Sequence, residues 1–182
     1  RFIEICSELN GILAFSGISY RDDGNFIKTS VAQTITDAQK RVQHIVPILK
    51  QRGVHGRVLQ YCNEELLQEN YFHAVLEATK SLSDYIRTVT NLKTDGSELF
   101  DTALSTTNPY MVMNNLQTKS EKNQQIGLCS MLKGINSMGR NVTAHEPKIK
   151  WIIEESDAID ILMVISYLHK QLDSCQITKM EQ

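Results

Sequence analysis

The chain predicts an all-α fold, a helical bundle carrying a small N-terminal helix/β-hairpin extension. Three observations carry that reading. Apolar residues recur at threes and fours through four or five stretches, the period of helices that each bury one stripe. Helix-opening polar patterns and helix-closing glycines bracket several of them. Only around Asp23-Gly24 do two short β-leaning runs, Ile18 to Tyr20 and Phe26 to Lys28, flank a hairpin signal.

In order, Phe2 to Leu13 has the spacing of a short helix that ends before Gly17. After the hairpin, Thr36-Asp37-Ala38-Gln39 reads as a capping box opening a helix with the stripe Ala38, Val42, Ile45, Val46 and Leu49. Gly53 lies just past its end, and Pro47 inside the stripe predicts a kink or a split. His44 and His55 read as surface or interface histidines. Val58, Leu59, Cys62, Leu66 and Leu67 form the next stripe, and Asn70 caps a long core helix marked by Phe72, Val75, Leu76, Thr79, Leu82, Ile86 and Val89. Along its flank Glu77, Lys80, Asp84 and Arg87 alternate in sign at the spacing of surface ion pairs. Asp95-Gly96 makes a turn before a short helix, and Ser120 is expected to cap the helix bearing Ile126, Leu128, Cys129, Met131, Leu132, Ile135 and Met138. Gly127 and Gly134 fall on one face of it. Each costs about 1 kcal/mol against alanine, so a neighbouring helix or a second subunit is expected to pack closely there. Ser156 to about Asp173 forms the last helix, with Asp157 and Asp160 near its start and His169 as a packed histidine. Trp151 and Ile153 are expected to wedge the preceding loop onto the bundle. The expected division is an extension over 1–57 and a bundle over 58–182.

Composition excludes several classes. The chain has 182 residues, 41% hydrophobic and 22% charged, the range of one ordinary globular core. No apolar run nears the length of a membrane span and no secretory leader opens the chain, so no membrane partner and a cytoplasmic location are expected. The chain begins with Arg1 rather than Met, which leaves an upstream segment open. Cys6, Cys62, Cys129 and Cys175 stand far apart, and no histidine has ligand spacing, so neither a metal site nor a cofactor is expected. Net charge is −2, which gives no global pull onto nucleic acid. From Lys119 to Lys150, however, six basic residues stand against two acidic ones, a run that suits a solvated face or a phosphate-facing patch.

Within that run lies Arg140-Asn141-Val142-Thr143-Ala144-His145, closed by Glu146-Pro147. A guanidinium can clamp a phosphate with two parallel hydrogen bonds, and an imidazole gives or takes a proton near neutral pH. Together they are the parts of a metal-free phosphodiester cleaver; alone they can equally be basic residues complementing a helix C-terminus. If Arg140 to His145 formed a continuous α-helix, the two side chains would diverge by about 140°. Two motifs paired across a two-fold axis would resolve that. Lys133, Lys148 and Lys150 are candidate substrate contacts, and Glu77 with Lys80 candidate supports for the pair.

Asn70-Tyr71-Phe72-His73-Ala74-Val75-Leu76-Glu77-Ala78-Thr79-Lys80, Thr94-Asp95-Gly96, Arg140 to His145 and Leu168-His169-Lys170-Gln171-Leu172-Asp173 together resemble the Ymh family of bacterial and phage proteins, over nearly the whole chain. That family is placed in the HEPN superfamily. The resemblance implies a HEPN-type helical bundle, usually a homodimer, in which Arg140, Asn141 and His145 form a metal-independent endoribonuclease site. It also implies a toxin or antiphage abortive-infection effector, with an antitoxin or defence-system protein as a possible partner. One departure stands out: where toxins paired with nucleotidyltransferases carry a tyrosine two residues after the histidine, this chain has Pro147. Control by modification of that tyrosine is not expected here.

The expected mechanism is RNA cleavage by the substrate's own 2′-hydroxyl, which restricts it to RNA. His145 serves as acid or base, Arg140 holds the scissile phosphate, and Asn141 orients one of them. The alternative is a non-catalytic helical dimerisation or partner-binding module. DNA binding through the hairpin is weaker, because only Arg21 and Lys28 are basic there.

Overall fold

The structure, a computed structural model, describes residues 2–20, 24–29, 31, 45–141 and 152–181, and of residues 2–4, 7, 140 and 141 the backbone alone. It is mostly helical. The order is α1 (Phe2–Leu13), β1 (Ile18–Tyr20), β2 (Phe26–Lys28), α2 (Ile45–Gln51), α3 (Gly56–Leu67), α4 (Tyr71–Thr90), α5 (Gly96–Ala103), β3 (Met111–Val112), α6 (Lys119–Ile135), a π-helix (Asn136–Asn141), α7 (Glu155–Asp173) and β4 (Gln176–Ile177). Among the described residues no helix is long and apolar enough to cross a membrane.

The N-terminal extension forms as expected. β1 and β2 pair antiparallel with Tyr20 opposite Phe26, whose rings meet edge to face at 5.3 Å. Asn10 ties α1 to this hairpin: its Oδ1 accepts from Tyr20 N–H at 2.6 Å and its Nδ2 donates to Tyr20 O at 3.1 Å. The capping box at Thr36 and the first half of its helix, with His44, lie outside the described residues, as does Trp151.

α4 is the axis of the bundle. Its apolar stripe is wide enough to serve several neighbours at once, and Phe72, Val75, Leu82 and Ile86 are all buried on it. α3 and α7 lie along it, α5 and the π-helix pack on its other sides, and α6 bridges α5 and α7. One contiguous apolar core results, reaching from Ile45 and Leu49 of α2 to Leu168 and Leu172 of α7. The bundle therefore begins before the expected boundary at 57/58, which falls inside the first turn of α3. The reason is that Ile45, Val46 and Leu49 bury their stripe in the same core as Val58.

α6 starts two residues earlier than Ser120 would cap it. Thr118 occupies the cap, accepting from Glu121 N–H at 3.2 Å, while the Glu121 carboxylate accepts from Thr118 N–H at 2.7 Å. This reciprocal box satisfies two donors at once, which a serine further along cannot do. At its other end α6 passes directly into the π-helix. β3 and β4 then pair antiparallel, Met111 opposite Ile177, so the segment after α7 seals the loop before α6.

Candidate functional site

The sequence motif begins on the π-helix. Arg140 and Asn141 are its last two residues, so the backbone carrying them winds wider than the α-helix behind the 140° divergence, and that figure does not apply to this turn. His145, Lys148 and Lys150 lie outside the described residues.

The residue before Arg140 locates the turn. Gly139 is buried against α4 so closely that a Cβ there would stand 2.5 Å from Thr79 Oγ1 and 3.5 Å from Val75 Cγ1. Thr79 is itself 1% exposed and donates its hydroxyl to Val75 O at 2.8 Å. Three residues earlier Asn136 is also buried. The start of the motif thus rests on the middle of the central helix.

The supporting candidates stand elsewhere on the same helix. Lys80 and Glu77 pair with each other at 2.6 Å, about 100° and 160° around α4 from Thr79. They line a cleft of about 280 Å³ with Tyr61, Ser83, Asp84 and Arg87. The sign alternation read along this flank is ion pairing, completed from other elements by Tyr61, which donates to Asp84 at 2.5 Å, and by Asp95, 2.9 Å from Arg87. Lys133 is held by both carboxylate oxygens of Asp101 on α5, each at 2.9 Å. No described side-chain hydrogen bond or ion pair joins Glu77, Lys80 or Lys133 to the π-helix.

Gly127 and Gly134 behave differently from the expectation of a close-packed neighbour within the fold. A Cβ on either meets nothing within 4 Å. They lie on an outward face of α6 and the π-helix that also exposes Ile126, Met131 and Met138, by 51%, 44% and 47%. The close approach belongs to Gly139 instead.

Sequence reasoning missed a second polar assembly. His55, read as a surface or interface residue, caps α3 by accepting from Arg57 N–H at Nδ1, donates Nε2–H to Asp173 at 2.8 Å and stacks on His169 at 5.0 Å. Arg57 adds an ion pair to Asp173 and lies over the Tyr85 ring at 4.0 Å. Burial pushes the Asp173 carboxyl up, but the hydrogen bonds from Arg57 and His55 outweigh it and hold it below the usual range. His169 is a packed histidine, as expected: it is fully buried, and desolvation, reinforced by His55 and Arg57, lowers its pKa to about 4. Its Nε2 lies 2.7 Å from Ser81 Oγ. The pair resembles a nucleophile and its base but cannot act as one. Ser81 donates its only hydrogen to Ala78 O at 2.6 Å, so His169 Nε2–H donates to Ser81, and both groups are closed to solvent. His169 Nδ1 then remains a bare, buried lone pair.

Among the described residues no group of three or more His, Cys, Asp or Glu side chains could hold a metal ion. Residues 52–172 match the model of a family described as a protein of unknown function, Hypoth_ymh. The chain belongs to the Ymh family. The Ymh match runs from just after α2 almost to the end of α7 and takes in Gly139, Arg140, Asn141 and His145, along with Glu77, Lys80, Lys133, Lys148 and Lys150. α1, the hairpin and α2 lie outside it. No curated protein and no solved structure matches the chain.

Proposed function

We propose that this Ymh-family protein is a metal-independent endoribonuclease of the HEPN kind, acting as a toxin or antiphage abortive-infection effector. The observation that carries the reading is the seating of the Arg140-Asn141 turn: a buried glycine against α4 holds the backbone of a guanidinium and an amide on the rigid centre of the bundle. A phosphate clamp needs such a base, because preorganised charge stabilises a transition state only where it does not have to reorganise. Arg140 holds the scissile phosphate. His145, five residues on, moves the proton of the substrate 2′-hydroxyl or of the leaving oxygen, and Asn141 orients its neighbours. No metal or cofactor enters this scheme. Lys133, Lys148 and Lys150 would extend the basic track for RNA, with Lys133 exchanging Asp101 for phosphate. A homodimer supplies a second motif to the same phosphodiester, and the outward face of α6 is the surface on which two copies would meet.

That same apolar face favours a second reading, a non-catalytic helical module that binds a partner protein or a second copy. One experiment separates the two. Purified protein is incubated with generic single-stranded RNA in EDTA, beside a His145→Ala variant of unchanged melting temperature. Cleavage that survives chelator and is lost in the variant supports the ribonuclease; intact RNA with both proteins supports the binding module.

A further inference from the structure

We propose that Gly139 and Thr79 are a positioning pair that sets the place of Arg140; this rests on the reading of Arg140 as the phosphate clamp. Three glycines lie on α6 and the π-helix, and the space around them differs. Gly127 and Gly134 have nothing within 4 Å of an added Cβ, so their side-chain-free state is not demanded by this chain. At Gly139 the same Cβ would stand 2.5 Å from Thr79 Oγ1, where an ordinary contact begins near 3.4 Å. Any side chain at 139 must therefore lift the turn by about an ångström or displace Thr79.

Thr79 is poorly able to yield. It is buried, its hydroxyl is engaged with Val75 O at 2.8 Å, and a β-branched side chain in a helix has few rotamers. Turning χ1 either breaks that hydrogen bond or puts the bulkier methyl where the oxygen was. The lift consequently passes to the next residue along the turn, Arg140. Such a displacement lowers stability, because a buried contact is overpacked, and it also costs alignment: a 1 Å misplacement in a catalytic array can slow the reaction about 100-fold.

The contact also tells how to undo the damage. Removing Oγ1 in Thr79→Ala deletes the atom at 2.5 Å and leaves Thr79 Cβ at 3.5 Å, an ordinary contact. A methyl at 139 and an alanine at 79 then fit together. The positions are coupled by size, which a merely structural glycine on an open surface would not be.

Four proteins test this: the parent, Gly139→Ala, Thr79→Ala and the double variant. Each is assayed by thermal melting and by single-turnover cleavage of labelled single-stranded RNA, at a temperature where circular dichroism shows all four folded. Gly139→Ala is expected to cut about 100-fold more slowly, Thr79→Ala to lose clearly less than that, and the double variant to recover most of the Gly139→Ala loss in both rate and melting temperature. Gly139→Ala cutting like the parent, or a double variant no better than Gly139→Ala, overturns the proposal. If the parent cuts no RNA, the ribonuclease reading and the positioning role fall together, and the melting temperatures still report whether the two positions are coupled. If the parent cuts RNA and no coupling is found, the seat alone falls.

Discussion

On the proposed mechanism Arg140, Asn141 and His145 should fail in different ways when changed, because each is assigned a different task. Arg140→Lys keeps the charge and loses the two-pronged fork, and cleavage should fall by about 100-fold. His145→Ala should lose between about 100-fold and 10,000-fold while RNA affinity, measured by fluorescence anisotropy, stays close to the parent. Asn141→Ala should keep more activity than His145→Ala. All three should melt within about 1 kcal/mol of the parent if their task is substrate chemistry and not core packing. A second residue-scale expectation concerns His169. Its pKa in the folded protein is about 4, below the value near 6.5 of an exposed histidine, so the unfolded chain binds the extra proton first. Stability is then full above about pH 6.5 and declines as pH falls toward 4, by about 3 kcal/mol at most. Urea titrations at pH 7, 5.5 and 4.5 should show that decline in the parent, and a flatter profile in His169→Gln, whose amide can still reach Ser81. The motif at Arg140 was legible because its residues are neighbours in sequence. The His55 assembly was not: its partners Ser166 and Asp173 lie 111 and 118 residues away, and no local period links them.

At the scale of elements, helical stripes were readable and winding was not. Each stripe repeats a burial rule several times over, so α3, α4 and α7 emerge from spacing alone. The π-helix seats Gly139 on Thr79, a contact with α4 that no window around residue 139 contains. The cap of α6 was available in the sequence as Thr118-Lys119-Ser120-Glu121, and reading Ser120 instead shifted the start by two residues. Thr118→Ala should therefore cost about 1 kcal/mol, read as a lower denaturation midpoint, while Ser120→Ala should be nearly silent. Gly127→Ala and Gly134→Ala give a sharper reading of the open face. With free space around both, each should stabilise the isolated chain by about 0.5 to 1 kcal/mol. If two copies pack closely there, the same changes should weaken their association in sedimentation or light scattering.

For the whole molecule, the all-α bundle with its helix-and-hairpin extension followed from the sequence, while the place where the bundle begins did not. The unity of the core depends on α2 sharing buried residues with α3 and α7, which is a long-range fact. A homodimer should show as twice the chain mass at micromolar concentration, and replacing Met131 and Met138 together by lysine should reduce it to the single mass without lowering the melting temperature. The placement of α7 has a further consequence for synthesis on the ribosome. The last helix covers the middle of the first half: His55 docks on Ser166 through its backbone, and Ser81 on His169. A nascent chain that has not yet released α7 cannot close its core, whatever its earlier helices have done. Ribosome-arrested chains whose α7 is still held inside the exit tunnel should stay open to protease, and arrested chains extended far enough past Asp173 to free that helix should not.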